Sequence, residues 1–294
     1  MSFSRPSGMF GFTVVWFGQV VSLMGSAMSG FAMTIWAWQL TGSATALALV
    51  GLFWVGPNII FSPIAGALVD RSNRKLVMMI SDLASGVITI VYLIMFSAGT
   101  LQIWHLYVGG FIAGTFQAFQ WPAYSSAITM MIPKNQYARA TGMMSLAEWG
   151  SGVFSPVLAA ALLAPIGLAG ILFVDIATFV IAILALLWIE VPQPTVSAEG
   201  KAARGNLWQE SLYGFKFIIQ RPSMLGLQLV FFFGNFFSTI SGTLTSPMIL
   251  SRTDNNALLL GSVQSVGSFG GILGDADLAT GSAAEFPRRK VCLP

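Results

Sequence analysis

Apolar residues run in long stretches that Lys and Arg do not interrupt, over about residues 11–39, 46–69, 76–98, 103–131, 139–163, 168–189, 222–249 and 256–274. Each approaches or exceeds the ~20 residues that a helix needs to cross ~30 Å of hydrocarbon. Backbone groups in lipid must find their partners within the segment, so the stretches are expected to be helices. The pattern therefore predicts a polytopic all-α membrane protein. The first stretch does not have the form of a cleaved signal peptide. It is too long, only Arg5 precedes it, and no small-residue cleavage site closes it.

The polar residues between the stretches set the orientation. Arg5, Arg71, Arg74, Lys75, Lys134, Arg139, Lys201, Arg204, Lys216 and Arg221 all fall before span 1 or between spans 2–3, 4–5 and 6–7. The connections 1–2, 3–4 and 5–6 hold no Lys or Arg, and Arg252 is the single cation in a predicted outer loop. Positive charge held at alternate connections places the N-terminus in the cytoplasm.

Composition agrees. Hydrophobic residues make up 55% of the 294 and charged residues 9%, against roughly 25% charged in an ordinary globular domain. Such a chain cannot cover a water-exposed surface with polar groups. The net charge of +3 does not indicate nucleic acid as a partner, because the cations are spaced between apolar segments. One cysteine, Cys292, excludes a disulfide framework and a cysteine-based metal site.

Residues 1–189 hold six spans, and a polar connection over 190–221 comes next. It opens Glu190-Val191-Pro192-Gln193-Pro194, which ends the sixth helix. Leu207, Trp208, Leu212, Phe215 and Ile219 then recur at helical spacing, predicting a short amphipathic helix at the cytoplasmic interface. Residues 222–274 hold two more spans. Trp16-Phe17-Gly18-Gln19-Val20-Val21-Ser22 in span 1 is echoed by Phe232-Phe233-Gly234-Asn235-Phe236-Phe237-Ser238 in span 7, as if a second, duplicated half began there.

The connection between spans 2 and 3 reads Gly66-Ala67-Leu68-Val69-Asp70-Arg71-Ser72-Asn73-Arg74-Lys75. This resembles the G-x-L-x-D-R-x-x-R-[KR] loop of the major facilitator superfamily. Trp16-Phe17-Gly18-Gln19 with Ser22 and Gly25, the turn Thr41-Gly42-Ser43-Ala44, Pro122-Ala123, Ile132-Pro133-Lys134 with Arg139-Ala140, and Ser155-Pro156 are similar to its macrolide-efflux and enterobactin-exporter branch. The resemblance covers about residues 11–274. It implies a major facilitator-like bundle with a complete N-terminal six-helix half and about two helices of the C-terminal half. It also implies that Gly66, Asp70, Arg71, Arg74 and Lys75 form a gating latch between the halves. Gly66 would allow two helices to approach closely, while the three cations hold the loop at the cytoplasmic face. The plainer alternative is a loop that only fixes topology.

Three acids fall inside spans, where an Asp costs roughly 2.5–3.5 kcal/mol on insertion scales and so needs a reason. Glu148 lies near mid-bilayer, and either carries a proton or attracts a cationic substrate, or holds helices together by hydrogen bonds. Asp82, nearer the cytoplasmic end, is expected to pair with Arg71, Arg74 or Arg139. Asp175, in the outer third of span 6, is expected to hydrogen-bond as a structural residue. Gln19, Asn58, Gln117 and Gln120 are expected to line a cavity, with Gln117 and Gln120 sharing a helix face. Asn235 and Gln264 would do so in the partial second half. Trp16, Trp54, Phe116 and Trp149 are candidates to shape an apolar cavity. Gly110-x-x-x-Gly114, Gly267-x-x-x-Gly271 and Gly270-x-x-x-Gly274 fit close helix packing. His105 is expected at the outer interface.

From Asp275 to Pro294 the sequence turns polar and unlike the family, the character of an out-of-frame or truncated coding sequence, or of a natural short form. Function follows from the resemblance: a secondary-active exporter of hydrophobic or amphipathic small molecules, of drug or siderophore type, in a bacterial inner membrane. The proton is the expected coupling ion, and transport is expected to be impaired in the shortened form. The alternative is a non-transporting membrane protein, either a remnant or an interaction partner. No cofactor is expected and an enzyme is not: there is no His or Cys cluster, nucleophile motif or G-x-x-x-x-G-K-[ST] stretch.

Overall fold

The computed structural model describes residues 8–192 and 216–281, with side chains as far as 270. Among the described residues seven long α-helices succeed one another: α1 Gly8–Thr41, α2 Ala44–Arg71, α3 Arg74–Ser97, α4 Ile103–Met131, α5 Tyr137–Trp188, α6 Pro222–Arg252 and α7 Ala257–Gly281. Lys134–Gln136 adds one 3₁₀ turn before α5. Among the described residues there is no strand. The chain is an all-α, multi-pass integral membrane protein.

The expected spans 5 and 6 are joined in α5, whose 52 residues would reach about 78 Å if straight, at 1.5 Å per residue. It is not straight. Gly167 leaves helical geometry at φ 66° and ψ −177°, two residues after Pro165, a backbone state that suits glycine. The packing shows the reversal. Ala140 and Leu186, near opposite ends of α5, share one apolar cluster with Phe12, Val15, Val69, Met78 and Met131. Ala159, Ala160, Leu168 and Leu172, from its middle, share another with Phe31, Ile35, Leu47 and Leu106. Thus α5 is a hairpin of two antiparallel arms, 137–166 and 168–188. The same two clusters gather alternate helix ends throughout, so the six spans of residues 8–188 run up and down between two apolar layers.

Five helices among the described residues are long and apolar enough to cross a membrane, with Lys134–Trp188 counted as one. The other two are α4, whose amides, aromatics and His105 dilute its apolar character, and α7, of which Ala257–Gly270 qualifies as a shorter apolar helix. With the two arms of α5 separated, the described residues hold eight helical segments. α7 continues to Gly281, beyond the boundary expected at 274. The expected interfacial helix of the 190–221 connection lies largely outside the described residues.

Short connections have their cause in their residues. Gly42 takes φ +58°, letting α1 reverse into α2 through two residues. The Ser43 hydroxyl caps α2 by accepting from Ala46 N at 3.4 Å. Asn73 caps α3 through Leu76 N at 3.2 Å. His105 sits in the first turn of α4, where its Nδ1 accepts from Gln102 N at 2.9 Å in a capping box.

Close helix contacts depend on small residues. At Gly114 an added Cβ would strike the Trp54 carbonyl oxygen, whereas at Gly110 it would stop 3.6 Å from Trp54 N. The 110/114 pair therefore seats α4 on α2, as expected. Gly18 brings α1 onto the second arm of α5, an added Cβ lying 2.9 Å from Ala185 Cβ. Two other expectations fail. Gly66, Gly267 and Gly270 each face open space. Among the described residues, then, no neighbour comes close at Gly66, Gly267 or Gly270.

α6 is exposed along most of its length, with Pro247 and Leu250 its buried residues near the far end. Val230 is 70% exposed and Phe231 59%. An apolar helix that few residues cover is in contact with lipid or with further helices.

Candidate functional site

The strongest polar cluster among the described residues joins α1, α3 and α4. Gln19 Nε2 donates to Asp82 Oδ2 at 2.8 Å. Gln120 Nε2 donates to Asp82 Oδ1 at 2.9 Å and to Gln19 Oε1 at 3.2 Å. Each residue lies about one helical turn from a member of the apolar cluster that holds Phe12, Val69 and Met131: Val15, Met78 and Ala123. The partly buried carboxylate has both oxygens engaged by amide donors. Its expected arginine partners are not the ones found, because the face of α3 that carries Asp82 turns toward α1 and α4. Gln19 and Gln120, expected to line a cavity, here meet each other and Asp82. Gln117 does not join them: the 100° advance per residue leaves it exposed while Gln120 points inward.

Glu148 occupies a different place. It is exposed, on the first arm of α5, one turn before Gly152 on the same face. At Gly152 that face meets α7, where an added Cβ would lie 3.0 Å from Ser268 Oγ. Glu148 therefore looks along the junction between the six-span half and α7. Trp16, at the start of α1, is fixed to the first arm of α5 by donating from Nε1 to the Met143 carbonyl at 2.8 Å. Gln264 of α7 donates to Ser246 Oγ of α6 at 3.2 Å. Asn235 donates to its own helix, at Phe231 O. The Asn58 carbonyl accepts from Ser62 Oγ at 2.6 Å.

Asp175 is 4% exposed. Its Oδ1 accepts from Ser26 Oγ of α1 at 2.9 Å, and its Oδ2 accepts from Thr89 Oγ1 of α3 at 3.0 Å. The hydrogen-bonding role expected for it is what its geometry displays.

The loop between α2 and α3 is anchored at both sides. Arg74 Nη2 lies 3.7 Å from Asp70 Oδ1, one turn back. Its Nη1 contacts the sulfur of Met130 at the end of α4. Lys75 Nζ donates to the carbonyls of Ile189 at 2.7 Å and Leu187 at 3.4 Å. A cation thereby completes the open carbonyl end of α5. Sequence reasoning missed this last contact; its signal was a Lys at the start of one helix and a last turn of α5 without a basic residue of its own. The loop's contacts described above reach α4 and α5, and Arg71 stands partly exposed beside them.

A profile of the Major Facilitator Superfamily matches residues 15–291, nearly the whole chain. This chain belongs to that superfamily. Macrolide efflux protein A of Streptococcus pyogenes is 30% identical over 223 residues, a match covering 74% of this chain and 54% of that protein. Macrolide efflux protein A of Enterococcus faecalis is 29% identical, over 64% of this chain and 58% of its own. The MFS-type transporter YfiS of Bacillus subtilis is 25% identical over 58% of this chain. The chain spans about half the length of these relatives. The crystal structure of a bacterial homologue of the human lysosomal transporter Spinster, inward-facing and unoccupied, matches with a TM-score of 0.67 at 18% identity, covering 98% of this chain and 66% of that one. At that identity the match speaks for the fold. Members of the superfamily are generally carriers.

Proposed function

We propose that this chain is part of a secondary-active exporter of hydrophobic or amphipathic small molecules of the drug type, driven by proton exchange in a bacterial inner membrane. The observation that carries the reading is the carboxylate of Asp82, held between the amides of Gln19 and Gln120 inside a six-span half whose relatives are named macrolide efflux proteins. A carboxylate kept within a membrane-spanning bundle is expected to mark an ion or substrate path. In this reading Asp82 with its two glutamines is the positioned centre of the half. Glu148, exposed at the junction with α7, exchanges the proton with the substrate path. Asp70, Arg71, Arg74 and Lys75 form the cytoplasmic latch, and the N-terminus lies in the cytoplasm.

Alternating access rocks one six-helix half against another around a central site. Transport is thus proposed for a protein in which α6 and α7 are joined by the remaining spans of a second half. The test is macrolide susceptibility of an exporter-deficient host carrying this chain, beside a chain completed to twelve spans with the C-terminal half of a relative. Protection by the completed protein, lost on Glu148→Gln together with its dependence on the pH gradient, is the expected result. Protection by neither protein refutes the exporter reading and leaves a non-transporting membrane protein. Glu148→Gln with unchanged gradient dependence removes Glu148 from coupling.

A further inference from the structure

α3 and α4 run side by side, yet an apolar groove of about 470 Å³ stays open between them on the surface of the bundle. Leu83, Val87 and Val91 of α3 form one wall, and Val108, Ile112 and Phe116 of α4 form the other. The α3 wall is 44–54% exposed. Half-buried Ala84 and buried Gly109 lie deeper. At Gly109 an added Cβ would strike the Tyr92 hydroxyl and come within 2.6 Å of its ring. Tyr92 therefore packs against the α4 backbone and floors the groove at that level.

The shape of the groove decides between occupants. Its lining runs from Ile80 to Met95 on α3, which is ~22 Å of helix rise. That exceeds the ~15 Å that one leaflet contributes to a ~30 Å hydrocarbon core. Spread over that length, 470 Å³ leaves a cross-section of about 20 Å². A helix 10–12 Å across needs roughly 80–110 Å². Neither a partner helix nor a second copy of this chain seats in so narrow a trench. An extended hydrocarbon chain does.

One end of the groove is polar. Tyr92, Trp104 and His105 line it there, beside the turn that joins the two helices, with the Trp104 and His105 rings 3.8 Å apart. Trp104 Nε1 donates to Gln102 Oε1 at 3.0 Å, and the Tyr92 hydroxyl donates to the His105 carbonyl at 3.4 Å. His105 Nδ1 accepts from Gln102 N at 2.9 Å, which puts the proton of the neutral ring on Nε2. That donor has no acceptor among the described residues. An apolar trench with one oriented donor at its end has the form of a ligand site. We propose that the groove holds one acyl chain of a zwitterionic phospholipid, whose phosphate oxygen accepts from His105 Nε2. Residues 98–106 carry no acid and no Lys or Arg. A head group of net negative charge would find no cation beside it in that stretch, whereas a zwitterion brings its own. Trp104 then sits at head-group level, as interfacial aromatics do. The site is separate from the Asp82 cluster and independent of whether the chain transports anything.

Native mass spectrometry of the purified full chain, stripped of lipid in detergent and then titrated, tests the assignment. The probes are phosphatidylethanolamine and phosphatidylglycerol with identical acyl chains. One phosphatidylethanolamine should stay bound at concentrations where phosphatidylglycerol does not. His105→Phe keeps an aromatic ring and should weaken retention about tenfold, the loss of one hydrogen bond to a charged group. Ala84→Phe fills the depth of the groove and should abolish retention. Ile59→Phe, at a position of α2 that is 65% exposed, should leave it unchanged. Equal or greater retention of phosphatidylglycerol, or retention that Ala84→Phe does not alter, overturns the proposal and leaves an ordinary coat of annular lipid. A dimer that carries no bound lipid also overturns it, and gives the groove to a second copy. His105 caps α4 as well; should His105→Phe fail to fold, the comparison of lipids and Ala84→Phe still decide.

Discussion

Replacing Gly114 by Ala adds one carbon to a helix, a change that in a solvent-facing helix stabilises by about 1 kcal/mol through propensity. In this bundle the added carbon would meet the carbonyl oxygen of Trp54, with the carbonyl carbon 2.9 Å and Cα 3.3 Å away. All three are backbone atoms of α2, so no rotamer change relieves the collision. The two helices must separate. Overpacking of this kind costs roughly 1–3 kcal/mol, and a backbone collision belongs at the upper end. Net of the propensity gain, Gly114→Ala should lose about 1–2 kcal/mol. Gly110→Ala sits one turn away on the same face, with neighbours at 3.6–3.7 Å. It makes ordinary contacts there and should be neutral or stabilising. Gly142→Ala, facing open space, gives the propensity term by itself. Thermal unfolding of the three purified variants in one detergent measures the differences, at roughly 2–4 °C per kcal/mol for a domain of this order of size. Gly114→Ala melting at or above Gly110→Ala would show that α4 does not rest on α2 at Trp54, and the packing argument would fail with it.

Asp82→Asn places an amide NH₂ against one of two amide donors, so either Gln19 or Gln120 loses its acceptor; a stability loss of about 1–3 kcal/mol is expected, and an unchanged melting temperature would dissolve the cluster. Lys75→Met leaves the Ile189 and Leu187 carbonyls without their cation, and should cost about 1 kcal/mol. It should also speed proteolysis of the segment after Ile189, while equal cleavage rates would refute the capping role. In a Cys292→Ser background, Asn135→Cys should resist a membrane-impermeant maleimide added to whole cells, while Thr100→Cys should react. The reverse pattern would invert the topology.

The hydrophobic stretches and the alternation of cations determined, from sequence alone, where the helices run and how the chain threads back and forth. The helix limits at 103–131 and the break between 163 and 168 needed no tertiary information, because length and charge are sums along the chain. Which polar residues meet was another matter. Rotation of each helix about its axis and the depth at which helices cross decide that, and hydropathy carries neither. So Gln120 reached Asp82 while Gln117, three residues away, stayed exposed. Asp82 turned from the arginines of the α2–α3 loop to two glutamines, Lys75 found the end of α5, and Gly66, for all its place in a motif, met no close neighbour among the described residues. Each of these outcomes rests on contacts between segments tens of residues apart, and a contact exists only when both surfaces are in place.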